Sequence, residues 1–281
     1  MRHDTYARLE LLAEPDWLQS AKDDPEVCVV DCSGGHDRQP AYIPGAVPLP
    51  VHFSLKDSDD PLHVMSRERF TEIMEQLGIG DDTTVVAYDR HAGMAAARLW
   101  WVLSYYGHAH TKLLNGGWHR WRAEDRPRSL HPGRREPQHF TPRQDNTVLA
   151  RKEYVRDRLG DPDTQILDVR NRSEYGGHNP WGNRRVGHIP GALHWEWVNN
   201  LTDDRYRTLK PPGELWASLG KLGLAPEKEV ITHCQAGIRA SHAAFVLNVM
   251  GFPRVRNYEA SMKEWANADD TPMEDEAPDS A

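Results

Sequence analysis

The hydrophobic positions of the chain fall into short runs. Val29-Val30 precede Asp31-Cys32, Thr84-Val85-Val86-Ala87-Tyr88 precede Asp89, Ile166-Leu167 precede Asp168-Val169-Arg170, and Val230-Ile231-Thr232-His233 precede Cys234. Short runs rich in Val, Ile and Thr that stop on a polar side chain read as buried strands. Between them the period changes. Ala240, Ala243, Ala244, Leu247 and Met250 recur at helical spacing, and Gly251 follows as a stop. Strands alternating with helical stretches predict βα units around a mostly parallel sheet.

The pattern occurs twice. The first strand of one copy leads to Tyr42-Ile43-Pro44-Gly45-Ala46, and that of the other to His188-Ile189-Pro190-Gly191-Ala192. The runs ending at Asp89 and at Cys234 each pass through a Gly-containing loop into a helical stretch. Lys112-Leu113-Leu114-Asn115-Gly116-Gly117-Trp118 with Trp121 matches Val255-Arg256-Asn257-Tyr258 with Trp265, and late elements lie about 144 to 146 residues apart. For 281 residues, against a prior of about 150 per domain, this predicts two α/β domains, 1–122 and 147–268. Residues 123–146, with Pro127, Pro132, Pro137, Pro142 and several Arg, have no periodicity and read as a linker. The tail 269–281 holds six acidic residues and no basic one, and reads as unstructured.

Composition narrows the functional classes. The 42 acidic and 34 basic side chains give a net charge of −8, which argues against a polyanion-binding surface and so against nucleic acid as a partner. No window approaches 18 uninterrupted apolar residues, and the opening MRHDTYARLE is charged, so neither membrane insertion nor export is expected. The three cysteines are odd in number. Cys28 and Cys32, on one extended segment, would stand about 13 Å apart, too far for a disulfide. A reducing cytoplasm is the expected compartment. Neither these cysteines nor the 15 histidines form a spaced ligand set, so no metal site is expected. Trp100-Trp101, Trp195 and Trp197 read as packing rather than as base-stacking residues, because no basic stripe accompanies them.

Cys234 carries the candidate chemistry. It ends a strand at the carboxyl edge of a parallel sheet, where ligands bind, and Gln235-Ala236-Gly237-Ile238-Arg239 leads from it into a helix. Amides turned inward at a helix N-terminus meet the positive end of the helix dipole and stabilise an anion, and Arg239 adds charge. A lone cysteine reads first as a core residue. Strand, loop, Gly, Arg and helix together select a nucleophile instead. Gln235, Ala236, Gly237, Ile238 and Arg239 are the candidate substrate-binding residues. Arg184 and Arg185, just before the His188 turn, read either as solvated charge or as an anion-guiding pair at the pocket rim.

The duplicated pattern, both Ile-Pro-Gly-Ala turns, the Lys112-to-Trp121 stretch and Cys234-Gln235-Ala236-Gly237-Ile238-Arg239-Ala240-Ser241 resemble the tandem-domain rhodanese family of sulfurtransferases. The resemblance implies two rhodanese-like α/β domains, each a mostly parallel sheet flanked by helices, with the persulfide-forming cysteine kept only in the second. Asp89 stands at the matching place in the first, and a carboxylate is a poor acceptor for sulfane sulfur, so that domain is expected to be silent. The implied activity is transfer of sulfur from thiosulfate to cyanide or a thiol through a Cys234 persulfide. Its partners are a small anionic donor and the acceptor, with no cofactor.

The chain departs from the family at Tyr258-Glu259-Ala260-Ser261-Met262, where many members carry Tyr-Asp-Gly-Ser-Trp. Members that use 3-mercaptopyruvate resemble C-G-S/T-G-V-T in the loop and hold the donor carboxylate with an Arg. Here Ala236 and Glu174 occupy the corresponding places, and His63 is the counterpart of a histidine those enzymes bring from the first domain. Rhodanese-like phosphatases resemble C-x5-R, whereas Cys234 to Arg239 encloses four residues. A non-catalytic sulfur-carrier or regulatory module would have no need of an intact nucleophile loop.

Overall fold

A computed structural model of the protein describes residues 4–34 and 41–275. The chain divides into two units. One holds Arg8–Asp145 together with Leu201–Lys210, and the other holds Asn146–Asn200, Pro211 onward and the residues before Arg8. In the first unit, β1 (Leu12–Ala13), α1 (Pro15–Ala21), β2 (Val27–Asp31), β3 (Val47–Pro48), α2 (Arg67–Gln76), β4 (Thr84–Tyr88), α3 (Met94–Tyr105), β5 (Thr111–Leu114) and α4 (Gly117–Ala123) follow in order. The second repeats the plan with β6 (Leu149–Ala150), α5 (Lys152–Arg156), β7 (Thr164–Asp168), α6 (Arg172–Tyr175), β8 (Leu193–His194), α7 (Pro212–Lys221), β9 (Glu229–His233), α8 (Ile238–Val249), β10 (Val255–Tyr258) and α9 (Ser261–Trp265). Both sheets have five strands, ordered β1-β5-β4-β2-β3 and β6-β10-β9-β7-β8, and every pair is parallel. The expected pair of parallel-sheet α/β units is the fold observed.

The same local chemistry builds both copies. At the sheet centres β2 lies along β4 and β7 along β9, with Val29 opposite Val86 and Asp168 opposite His233. These apolar runs suit strands covered on both faces. In both Ile-Pro-Gly-Ala turns the alanine N–H donates to the isoleucine carbonyl at 3.0 Å, and Gly45 (φ 81°) and Gly191 (φ 72°) take the left-handed conformation. Proline then glycine at the two central positions is the type II turn preference. Helix α8 packs Ala240, Ala243, Ala244 and Leu247 into the core and ends where expected, with Met250 as its cap and Gly251 at φ 87°.

Two stretches expected to lie outside the domains make specific contacts in the structure. Residues 124–145 contain no helix or strand, but they are packed on the first unit. The Gly133 N–H donates to Ala46 O (2.7 Å), Arg135 to Val27 O (2.8 Å) and Pro25 O (2.6 Å), and Arg143 N–H to Tyr106 O (2.8 Å), while Phe140 is buried. The acidic tail is likewise held as far as residue 275. His188 and Glu274 exchange backbone hydrogen bonds of 2.7 and 3.0 Å, and Trp265 Nε1 donates to Pro272 O at 2.8 Å. Residues 276–281 lie outside the described residues. Isolated hydrogen bonds to backbone carbonyls leave no periodic trace in a sequence, and both segments are fixed by such bonds.

His233 and His242 are fully buried in the second unit, and burial pushes each imidazole down to about 4. For His233 the Asp168 charge opposes that shift and Arg170 adds to it. A depressed histidine binds its proton more readily in the unfolded chain, near pH 6.5. Its contribution to stability is complete above that value and is lost as the pH falls toward 4. Replacing His242 with Leu is therefore expected to flatten the dependence of unfolding free energy on pH between 6 and 4.5, by about 1.4 kcal/mol per pH unit. Denaturant titrations across that range measure the slope, and an unchanged slope would contradict a neutral buried His242.

Candidate active site

Cys234 follows β9 directly, and its side chain is 1% exposed. Three residues later Gly237, at φ 79°, caps α8, and its N–H donates to Cys234 Sγ at 3.1 Å. A Cβ at position 237 would collide with the Glu259 backbone, so both the dihedral and the space require glycine. The sulfur thus sits at the amino end of a twelve-residue helix, where the dipole favours negative charge.

The loop is held from behind by its carbonyls. Met262 N–H donates to Cys234 O (3.1 Å), Lys263 N–H to Gln235 O (2.9 Å), and Asn257 Nδ2 and Ser241 Oγ to Gly237 O (3.0 and 2.8 Å). Ser261 Oγ accepts from Cys234 N–H (3.0 Å) and donates to Tyr258 O (2.6 Å). Ser261 takes φ 55°, a left-handed conformation costing a non-glycine residue about 1–2 kcal/mol. The matching residue of the first copy is Gly117, at φ 49°. Serine at this position keeps the strain and gains a hydroxyl under the nucleophile's own amide.

Arg239 lies on the first turn of α8, where it forms a bidentate ion pair with Glu174, Nη1 to Oε2 and Nη2 to Oε1 both at 2.7 Å. Burial alone would lower the Arg239 pKa, but the Glu174 hydrogen bonds and the charges of Cys234 and Glu174 hold it above its ordinary value. Glu174 is buried in α6 and also closes a capping box with Asn171. The guanidinium therefore arrives already paired, which the sequence reading of Arg239 as a free charge for the substrate did not foresee. Beneath the loop Arg170 grips Asp168 (Nη2 to Oδ2 2.6 Å), and His233 Nε2 stands 3.7 Å from the same carboxylate. Burial would raise the Asp168 carboxyl. His233 and Arg170 reverse the shift and keep it below the usual range. Because His233 is neutral above about pH 4, Arg170 carries the compensation at neutral pH.

Arg184 and Arg185 are placed differently from an anion-guiding pair. Arg185 donates to Trp265 O (2.7 Å), Ala266 O (3.3 Å) and Thr271 O (2.5 Å), and Arg184 pairs with Asp269 and donates its N–H to Asn267 Oδ1. Both hold the C-terminal segment. The residue of that loop that reaches the cysteine loop is Asn183, whose amide exchanges hydrogen bonds of 2.8 and 3.1 Å with Gln235. Asn183, Asn257 and Ser261 went unread in the sequence. For Ser261 a signal existed, since it is the serine retained from the Tyr-Asp-Gly-Ser-Trp pattern.

The first copy fills the equivalent cradle with its own side chain. Asp89 is fully buried, its Oδ1 accepts from His91 N–H (2.7 Å) and Gly93 N–H (2.8 Å), and its Oδ2 accepts from Ala96 N–H (2.7 Å). Trp118 N–H donates to Asp89 O at 3.1 Å, as Met262 N–H does to Cys234 O. Cys28 and Cys32 are buried free thiols. Burial pushes Cys28 up to about 11 against the pull of Arg135, and burial with Asp89 and Asp31 raises Cys32 well above the ordinary range. Neither is disposed to ionise near neutrality. Among the described residues no cluster of three or more metal-ligating side chains occurs, and no helix is long and apolar enough to cross a membrane.

Residues 14–124 and 151–268 each match the pattern of the Rhodanese-like domain. A thiosulfate sulfurtransferase of Azotobacter vinelandii is 34% identical over 96% of this chain and 99% of its own. A protein of Thermus thermophilus named sulfur carrier protein TtuD is 34% identical over 95% of this chain and 98% of its own. Among solved structures, the anaerobic ergothioneine biosynthesis enzyme of Chlorobium limicola, in complex with trimethyl histidine, superposes with a TM-score of 0.85 at 25% identity, over 97% of this chain and 72% of that one. Duplicated sheets, duplicated turns and a cysteine loop at the head of α8 agree with these matches, and the chain belongs to the rhodanese family of sulfurtransferases, with the domain present twice in tandem.

Proposed function

We propose that the protein moves the sulfane sulfur of thiosulfate to a thiophilic acceptor, cyanide or a thiol, through a persulfide on Cys234. The observation that carries this reading is the Gly237 amide, 3.1 Å from Cys234 Sγ at the head of α8. In the first step the Cys234 thiolate attacks the outer sulfur of thiosulfate, the S–S bond breaks, and sulfite leaves with the bonding pair. In the second, the acceptor's lone pair takes the terminal sulfur and the thiolate returns. Loop N–H groups from Gln235 to Arg239 stabilise the negative persulfide as preorganised dipoles. Arg239 supplies its charge as one half of a fixed pair with Glu174. Every electron pair is accounted for without a metal or organic cofactor.

The first domain is silent in this scheme, because Asp89 occupies its amide cradle with a fixed carboxylate. Three free cysteines suit a reducing cytoplasm. A second reading, delivery of the same persulfide sulfur to a protein acceptor, is favoured by the relative named as a sulfur carrier. It shares the first step and differs in the second. Phosphatase chemistry is disfavoured by the four-residue spacing, which leaves little room for a phosphoryl group.

Thiosulfate is expected to be preferred over 3-mercaptopyruvate, because Glu174 stands where a carboxylate clamp would be needed and Ala236 lacks a hydroxyl. A charge-assisted contact to a carboxylate is worth about 1.5–3 kcal/mol, so the preference in kcat/KM should be about tenfold to hundredfold. Steady-state rates with cyanide as acceptor measure it, and a preference for mercaptopyruvate would overturn the assignment of the donor.

Ser261→Gly is expected to keep the left-handed backbone while leaving the Cys234 N–H without its acceptor. An unsatisfied buried donor costs about 1–3 kcal/mol, so kcat/KM for thiosulfate should fall about tenfold to hundredfold if that cost falls on the loop. Kinetics matching the parent would remove Ser261 from the account.

A further inference from the structure

Gln235, the residue that follows the nucleophile, is held at both ends. Its backbone carbonyl accepts Lys263 N–H at 2.9 Å, and its side-chain amide is paired with that of Asn183, Gln235 Nε2 donating to Asn183 Oδ1 at 2.8 Å and Asn183 Nδ2 to Gln235 Oε1 at 3.1 Å. Asn267 joins the two anchors. Its Nδ2 donates to Asn183 Oδ1 at 3.2 Å and to Lys263 O at 2.9 Å. The contacts run from the Gln235 side chain through Asn183, Asn267 and Lys263 back to the Gln235 carbonyl, a closed ring of hydrogen bonds on one residue of the cysteine loop. We propose that Asn183 is a positioning residue for sulfur transfer, acting through the Gln235 side chain to keep the cysteine loop and its amides in the conformation that stabilises charge on Cys234. This rests on the persulfide reading above and deepens it.

Within this ring Asn183 is the member that comes from outside the cysteine loop and the α9 segment. A strained turn delivers it. Asn183 N–H donates to Pro180 O at 2.8 Å and Trp181 N–H to Asn179 Oδ1 at 3.2 Å, while Trp181 and Gly182 take φ 49° and 76°. Left-handed backbone is unfavourable for a side chain as large as tryptophan, and such strain persists where surrounding contacts over-determine it. Trp181 is exposed, so its own burial does not offset the strain. The contacts that hold the turn follow it in the chain, where Asn183 enters the ring and Arg184 N–H donates to Asn267 Oδ1 at 2.8 Å.

The consequence for the nucleophile follows from what the ring restrains. Glutamine is among the side chains with the most rotamer freedom to lose. Without the Asn183 amide that freedom returns next to Cys234, and the Gln235 amide loses both of these hydrogen bonds. The peptides on either side of Gln235 are then held at the Lys263 contact but not through the side chain. Amide dipoles stabilise a charge best when they are fixed before it forms. A looser loop therefore stabilises a thiolate or persulfide less, although every backbone N–H is still present.

A double-mutant cycle in the full-length protein tests the proposal, with Asn183→Ala, Gln235→Ala and the two combined. Two quantities are read: kcat/KM for thiosulfate with cyanide as acceptor, and the pH dependence of Cys234 alkylation by iodoacetamide, which needs no sulfur donor. Asn183→Ala is expected to lower kcat/KM about threefold to tenfold and to move the alkylation midpoint upward by about half a pH unit. Gln235→Ala should do the same, and the combined variant should be no worse than either alone. Exchanging the two amides, Asn183→Gln with Gln235→Asn, keeps the number of methylenes between the two backbones and should recover most of the loss. A parent protein inactive with thiosulfate whose alkylation midpoints still show this coupling would overturn the choice of donor and leave the role of Asn183 standing. Additive effects in the combined variant, or an Asn183→Ala protein with the parental rate and midpoint, would overturn the role of Asn183.

Discussion

Cys234 is buried to 1% exposure, so a negative charge formed on its sulfur would have little water to solvate it and would have to be met by fixed dipoles. Here that burden falls on the Gly237 amide and the head of α8. The rest of the second unit arranges that contact. Gly237 must be glycine because the Glu259 backbone lies against it, and its carbonyl is held by Asn257 and Ser241. The Cys234 and Gln235 carbonyls are tied to the first residues of α9, and the Cys234 amide to Ser261. Apart from Ser241 on α8 itself, those partners come from β10 and α9. The loop can therefore form only where β10 lies beside β9, which is the parallel order of the sheet.

The first copy presents the same cradle with a different anion. Gly117 and Ser261 share a left-handed backbone, and Trp118 and Met262 make equivalent 3.1 Å hydrogen bonds to the residue at the strand end. With Asp89 at that place, two oxygens take three amide donors and close the cradle. With Cys234, one sulfur takes a single amide among the described contacts, and the loop is shorter by one residue. A carboxylate satisfies the dipoles permanently. A sulfur can change its charge and its length while staying in place.

Most of this architecture was legible in the sequence because it rests on repeated local signals. Val-rich runs ending on Asp89 and Cys234 became β4 and β9, the alanine spacing became α8, and Gly251 ended it. What could not be read depended on contacts between distant residues. Nothing in the order Arg239 and Glu174 announces that α6 carries the carboxylate to the guanidinium. Arg185 looks like surface charge until the carbonyls of Trp265, Ala266 and Thr271 converge on it. Gly133 and Arg135 sit in a proline-rich stretch whose hydrogen bonds to Ala46 and Val27 carry no periodicity. The sequence's fold signals are local, whereas the electrostatics of the site are assembled across the unit.

The claim on which the functional account turns is that Cys234 holds a sulfur atom taken from thiosulfate. Intact-protein mass spectrometry before and after incubation with thiosulfate reads this directly. The account predicts a gain of one sulfur per chain, placed on Cys234 by peptide mapping, removed by cyanide and absent in Cys234→Ser. No gain in mass, or a sulfur mapped to Cys28 or Cys32, would contradict it.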